Sequence, residues 1–476
     1  MKKIITSIWL VLLFISIGCN KLVDVDTVSY ITNGSYWKGE GDVIGYTTGI
    51  YSDLRSLVNT TYYGEDRSDA FIPGLEGSVT VAWAQNLTDA NAPSWLSFYN
   101  IIHHCNLLIK YGSQTNPKTD NINRCLAQGY FIRAYTYLML IKAWGDVPLV
   151  LEPTESSSTA LPSRSPAADV MTQILSDINK SISLFPEKGY VDKNRASMPA
   201  AYALKADALL WKKKVLNGAN EDLNGAIAAV DTVMQSGVSL LPDFTKIHDT
   251  GNKKNNEIIF SLYFLRNEES DQYGSRLKPR ALFVANAANK NLLAYATNGA
   301  RSVYAPSDTI KKLFSSNDVR KAASIITAVD ANNNVIGVFD NKFRGTVYSD
   351  DRYWENDIVI YRAAEMILFK AEALAALNLP DEAVIELNKV RNRAAIGDYK
   401  GAKDKQSVEK EIFNERFREL WFELKRWPDI VRFHYGGTID AYQIVPNLKG
   451  KTIPLFFPIP GKEINVNSNL QQTAGY

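Results

Sequence analysis

The chain has 476 residues, of which 53 are Lys or Arg and 51 are Asp or Glu. A balance this close to neutral argues against a nucleic-acid partner, whose phosphates need a basic footprint, and against electrostatic adhesion to a membrane surface. The length allows one large or two ordinary domains.

The chain opens as a secretory signal. Lys2 and Lys3 precede an apolar run from Leu10 to Ile17, and small residues follow before a cut. The run is short for a spanning helix. Cys19, directly after Ser16, Ile17 and Gly18, makes residues 1–18 a bacterial lipoprotein signal. Cleavage would leave Cys19 as the lipidation site, with a diacylglycerol and an N-acyl chain, beyond the two signals that stable anchoring needs. Losing Lys2 and Lys3 takes the basic count from 53 to 51, equal to the acidic count. Residues 19–40 read as the lipidated N-terminus and a polar tether, and 41–476 as one domain.

From about Val43 the pattern is helical. Ala127 to Trp144 is the clearest helix, with Ala127, Phe131, Ala134, Leu138 and Ile141 on one face. Gly145 and Pro148 stop it, and Ser165 with Pro166 starts the next. Two further pairs follow, Pro199–Val215 with Leu223–Met234, and Tyr361–Asn378 with Pro380–Ala394. Alanine at the close-contact positions of paired helices marks irregular tetratricopeptide-type stacking. The fold class is therefore mostly α. It is an irregular helix-pair scaffold carrying a loop-rich region with a few short strands. The loop-rich insertions are about 56–98 and 243–360. The second contains strand-like runs at Glu257–Phe264 and Val335–Phe339, with a hairpin turn at Asp330–Asn334. Long ordered loops on a helical scaffold are where binding usually sits.

Cys105 and Cys125 fall in helical patterns and read as buried free thiols, although an oxidising compartment would permit a disulfide. Nothing resembles a metal site, and no cofactor motif or nucleophile motif occurs. The histidines His103 and His104 are neighbours on a helix and point too far apart to share a ligand. Carboxylate pairs such as Asp69 with Asp89, or Asp350 with Asp351, could serve a glycosidase, but surface or salt-bridge roles explain them more simply. The alternating charges Glu415, Arg416, Arg418, Glu419, Glu423, Arg426, Asp429 and Arg432 read as a structural ion-pair network. Sugar recognition needs aromatic faces and planar polar groups. Tyr62, Tyr63, Arg67, Asp69, Trp83, Asn86 and Trp95 supply them in the first insertion.

The chain resembles the SusD/RagB family of outer-membrane lipoproteins from Bacteroidetes over nearly its whole length. Phe131, Arg133, Ala134 and Tyr137, followed by Trp144, Gly145, Asp146, Val147 and Pro148, carry the first likeness. Asn194, Arg195 and Ala196 carry another, as do Tyr361, Arg362, Glu365 and Ala371. Leu387, Asn388 and Arg391 follow, then the charged run from Glu415 to Arg432. The ending, Pro458 and Pro460 with Glu463, Asn467, Asn469, Leu470, Gly475 and Tyr476, also matches. The departures are Leu424 where glycine is usual, Pro428 where an aromatic is usual, and Thr473 with Ala474 in place of Asn-Pro.

The resemblance implies a non-enzymatic, lipid-anchored protein of the cell outer membrane, facing the cell surface. It would capture an oligosaccharide and deliver it to a SusC-like TonB-dependent transporter. Four helix pairs would form the scaffold, with ligand on the opposite, loop-rich face. Trp83 and Asn86 fit the family's spacing of a Trp and an Asn three positions later. Trp83 would stack on a sugar, while Arg67, Asp69 and Asn86 would hydrogen-bond hydroxyls. The family's second contact region falls near Tyr273, Tyr295 and Tyr304. Some relatives handle peptides, so a peptide-binding lipoprotein is the nearest alternative, and a surface glycoside hydrolase is the alternative from another class. Cys19→Ala is expected to abolish surface display and impair uptake, while the affinity of the purified protein for its ligand stays unchanged; cell-surface labelling and a binding titration check the two halves.

Overall fold

The computed structural model describes residues 36–296 and 301–476. Cys19, the signal and the tether up to residue 35 lie outside the described residues. Ten helices of ten or more residues are described. They are α1 (Glu40–Val58), α2 (Leu96–Leu107), α3 (Asp120–Trp144), α4 (Ala167–Leu184), α5 (Met198–Val215), α6 (Asn220–Met234), α7 (Ala363–Ala376), α8 (Pro380–Arg393), α9 (Lys405–Glu419) and α10 (Arg426–Tyr435).

Their ends are set by local chemistry. Asp42 in the first turn of α1 accepts the backbone N–H groups of Lys38 and Gly39 at 3.0 and 2.9 Å. The Thr119 side chain caps α3 by accepting from Ile122 N–H. This start lies seven residues before the expected Ala127, because the first polar turns of α3 carry little apolar period. Gly145 closes α3 with a φ of +73°, a conformation that favours glycine. Asp146 then accepts the Ala167 N–H at 2.8 Å, so the turn that stops α3 caps α4.

The helices pack as pairs, α1 on α2, α3 on α4, α5 on α6 and α7 on α8. Each later pair also touches its neighbour, as α4 does α5 and α6 does α7. Alanines make the close approaches: Ala200, Ala203, Ala206 and Ala208 in α5, and Ala364, Ala371, Ala373 and Ala375 in α7, are all fully buried. Helix α9 packs on α7 and α8, and α10 crosses onto α5. Cys105 and Cys125 are buried free thiols.

The strands form two-stranded antiparallel ribbons. β1 (Phe71–Pro73) pairs with β3 (Tyr304–Pro306), joining the two loop-rich insertions. β2 (Ile258–Leu262) pairs with β8 (Ile358–Arg362). β4 (Ile325–Val329) and β5 (Val335–Asp340) form the expected hairpin. Asp330 closes its turn by accepting the N–H groups of Asn332 and Asn334 at 2.8 and 2.9 Å. β6 (Thr346–Val347) pairs with β7 (Arg352–Tyr353). Tyr361 and Arg362, expected to open a helix, instead end β8, and α7 starts at Ala363. A short apolar run without clear period fits either state, and pairing with β2 decides it.

The charged run from Glu415 to Arg432 is an ion-pair network, and it is buried. The Arg362 guanidinium bonds Glu257, Glu419 and Glu423 at 2.6–2.9 Å. Arg320 bonds Asp318, Glu415 and Glu419 at 2.6–2.9 Å. Arg432 forks onto Glu372 at 2.8 and 2.9 Å and reaches Asp429 at 2.8 Å. Burial pushes the Glu419 carboxyl up, but Arg393, Arg362 and Arg320 outweigh it and hold it well below the usual carboxylate range.

The loop after α1 is drawn into this core. A side chain at Gly64 would meet the Leu424 carbonyl oxygen at 2.4 Å, so the two backbones pass only because Gly64 has none. Leu424 itself, where the resemblance leads one to expect glycine, adopts a φ of +64°. Next to it, Glu65 accepts the Lys425 N–H at 3.2 Å at the start of α10. Burial pushes its carboxyl up to about 8, against the Lys425 N–H and the charge of Arg426.

Arg362→Met would leave buried carboxylates unpaired and should cost ~3–5 kcal/mol, read from urea unfolding. Glu65 gives a pH signature. Between its ordinary 4.5 and about 8 the folded chain keeps a proton that the unfolded chain releases. Its contribution is therefore complete below 4.5 and is lost as pH rises through 8. Glu65→Gln keeps an acceptor for Lys425 and has no proton to lose. It should raise the melting temperature at pH 8.5 by a few degrees and leave it unchanged near pH 4.5; parallel pH profiles for the two proteins would refute the assignment.

Candidate functional site

The surface around Trp83 and Asn86 is assembled from parts far apart in sequence. The Trp83 side chain is half-buried. Its indole N–H donates to the Phe71 carbonyl at 3.0 Å, at the start of β1. Its backbone N–H donates to Thr80 Oγ1 at 3.1 Å, and its carbonyl accepts from Asn447 Nδ2 at 2.8 Å. The indole edge is thus used internally, and the accessible part of the ring can offer a stacking face. Asn86 is exposed. Lys451 Nζ bonds its Oδ1 at 3.0 Å and the carbonyls of Ala84 and Gln85 at 2.8 and 3.0 Å, pinning the turn between Trp83 and Asn86. Asn447 and Lys451 were not picked out in the sequence. They lie more than 360 positions away, and nothing local to them signals the contact.

Arg67 and Asp69 do not reach this surface, which corrects the expectation that they bond ligand hydroxyls. Arg67 is fully buried. It donates to Gln85 Oε1 at 2.9 Å and to the carbonyls of Leu455 and Pro454 at 2.7 and 2.8 Å. Its guanidinium also lies over the Trp427 ring, 4.6 Å from the centroid. Asp69 is buried and accepts both ends of the Arg426 fork at 2.7 and 2.9 Å. Their role is support. The Gln85 side chain returns a bond to the Arg67 carbonyl at 2.7 Å, so Arg67 holds the residue between Trp83 and Asn86 that carries a φ of +53°.

Three of the expected aromatics are core residues. Trp95 packs edge-on against Tyr99. Tyr273 is buried with its hydroxyl on the Phe422 carbonyl at 2.9 Å. Tyr304 is buried, stacks on Phe71 at 4.9 Å and bonds Asp66 and Thr80. Tyr62, Tyr63 and Tyr295 remain half-buried. Tyr62 stacks on Phe457 at 5.7 Å. Tyr63 packs edge-on against Phe98 and borders a cavity of about 90 Å³, lined by apolar side chains together with Lys142, Asp207 and Glu365. That cavity suits a few waters, not an oligosaccharide. Tyr295 sits on a small separate cluster with Val284 and Phe339.

Among the described residues no cluster of three or more His, Cys, Asp or Glu could hold a metal ion. The carboxyls of Glu65 and Asp66 that burial raises are sealed in the core, out of reach of any substrate. The Asp350 carboxylate of the second candidate pair bonds Arg266 and Tyr353.

Comparison with known proteins places this arrangement. The family model described as "SusD family" matches residues 256–476. A second, described as "Starch-binding associating with outer membrane", matches residues 49–210. SusD-like protein P25 of Formosa agariphila is 24% identical, with 98% of this chain and 97% of the relative covered. Starch-binding protein SusD of Bacteroides thetaiotaomicron is 30% identical over 28% of this chain and 24% of its own. A crystal structure of a SusD superfamily protein from Bacteroides fragilis superposes with a TM-score of 0.82 at 26% identity, covering 93% of this chain and all of that one. Two family models that together take in the first insertion and most of the second, relatives matched end to end and the shared helix-pair scaffold lead to one conclusion: the chain belongs to the SusD/RagB family.

Proposed function

We propose that the protein binds an oligosaccharide through the face that carries Trp83 and Asn86 and delivers it to a SusC-like TonB-dependent transporter in the outer membrane. The observation that carries the reading is the braced, half-buried Trp83 beside the exposed Asn86, at the spacing expected of a family ligand site. A pyranose ring would stack its apolar face on the indole, and the Asn86 amide would bond a hydroxyl. The kinship with a starch-binding protein and with a family described as associating with the outer membrane supports a glycan over a peptide. Binding needs no covalent step. The glycosidase alternative lacks support, because the carboxyls raised by burial at Glu65 and Asp66 are inaccessible.

The bracing has a second consequence. A ring held by bonds at its edge and backbone loses little freedom when a sugar docks, so stacking is realised with little ordering cost. In a binding screen of oligosaccharides and peptides, the best glycan should lose at least roughly tenfold in affinity on Trp83→Ala, the size expected for one lost aromatic contact. Asn86→Ala should cost less, and melting temperatures should move by only a few degrees. Unchanged affinity in Trp83→Ala would remove the site assignment, and saturable peptide binding without sugar binding would remove the glycan reading.

A further inference from the structure

We propose a second binding site, for a small hydroxylated carboxylate such as a uronic acid, in the cleft between α1 and the end of β2. The cleft has a volume of about 410 Å³, within the range of small-molecule sites. Thr48, Ser52 and Arg55 line one wall from successive turns of α1, and Asn194, Arg195 and Lys254 line the other. No lining residue is shared with the Trp83 surface, so this site stands or falls independently of the function proposed above.

Two groups in the cleft are arranged for a ligand. The Arg195 guanidinium lies over the Tyr51 ring at 4.4 Å. That ring is fixed, since its hydroxyl accepts the Ala196 N–H at 2.8 Å. Arg195 Nη2 donates to Thr48 Oγ1 at 3.2 Å. Among the described residues no carboxylate pairs with Arg195. Asp192, whose carboxylate feels the charge of Arg195, makes its ion pair with Lys254 at 2.9 Å instead. A flat, held guanidinium with a free edge is suited to a planar carboxylate.

The second group is Asn194, only 7% exposed. Its Nδ2 donates to the Ser261 carbonyl, Ser261 Oγ and Asp357 Oδ2 at 3.3, 2.9 and 2.9 Å, which fixes the orientation of the amide. Its Oδ1 is buried and has no hydrogen-bond partner among the described residues. A buried acceptor without a donor is costly, and a ligand hydroxyl would relieve it. Arg55 braces the far rim by bonding the Tyr263 carbonyl and Glu268 at 3.0 and 2.6 Å. A neutral sugar would leave Arg195 without its anion, and a bare carboxylate would leave Asn194 without its donor. The ligand must therefore carry both groups.

Calorimetric titration of the detergent-solubilised protein with glucuronate, glucose and acetate tests this. Glucuronate should bind saturably, with glucose and acetate each at least roughly tenfold weaker, the factor for losing one hydrogen bond to a charged or buried group. Arg195→Gln should lower glucuronate affinity by at least about tenfold. Ser52→Phe, which fills the cleft from an exposed helix position, should do the same at an unchanged melting temperature, and it decides the matter if Arg195→Gln does not fold. Trp83→Ala should leave glucuronate binding as it was. The proposal is overturned by absence of saturable glucuronate binding, by equal binding of glucose or acetate, by full affinity in Ser52→Phe, or by loss of binding in Trp83→Ala.

Discussion

The buried guanidinium of Arg362 ties the approach to β2, the end of α9 and the turn before α10 to the start of α7. It sits where β8 becomes α7 and makes five hydrogen bonds, to Glu257, to both carboxylate oxygens of Glu423, and to the side chain and carbonyl of Glu419. Those partners belong to three places: the approach to β2, the end of α9, and the turn between α9 and α10. Arg320 and Lys342, both from the second insertion, bond the same carboxylate cluster through Glu415, Glu419 and Glu423. The loops are thus clamped to the scaffold by charges as well as by the apolar core that Phe71, Tyr273, Tyr304 and Phe343 share with the helices. Replacing such a network wholesale with well-packed apolar groups is often neutral in stability, whereas removing one partner is severe. What the network supplies is geometry, because a planar fork accepts carboxylates only in a few directions.

That geometry is passed to the Trp83 surface by direct contact. Glu423 leads into Leu424, whose backbone faces Gly64. Gly64 begins the buried stretch in which Glu65 caps α10 and Asp69 forks with Arg426. Arg67, between them, grips the side chain of Gln85, and Gln85 stands between Trp83 and Asn86. The surface residues are therefore carried on a loop that is anchored as firmly as a core element. The usual mobility of long loops follows from solvated backbone and few buried contacts, whereas the stretch from Gly64 to Ala70 that holds Gln85 is buried throughout.

Much of the scaffold was legible because helices advertise themselves by period and caps, and Asp146 and Thr119 are caps of the ordinary kind. The ion network was legible too, since charges of alternating sign at helical spacing have few other uses. Arg67 and Asp69 misled for a physical reason. Polar residues in an aperiodic stretch look solvated, and the partners that pull them inward, Leu455 and Arg426, lie more than 350 positions away. Tyr273 and Tyr304 misled in the same way, since each spends its hydroxyl on a distant group inside the core. Trp83 and Asn86 kept their place at the surface because the spacing that singled them out belongs to a turn, and a turn is a local structure.

The unusual residue at position 424 shows how tightly the two halves are fitted. A φ of +64° suits glycine, and a leucine held there is strained by roughly 1–2 kcal/mol. The strain is tolerated because the conformation is fixed from both sides. Trp427 N–H donates to the Gly64 carbonyl at 2.7 Å just beyond it, and Glu423 is held by Arg362 and Lys342 just before it. Relaxing Leu424 would require breaking one of those contacts, and each is buried. The leucine side chain also packs against the core, a contact that glycine would lack. Backbone conformation at this junction is thus imposed by the charge network and the Gly64 approach, not chosen by the residue that occupies it.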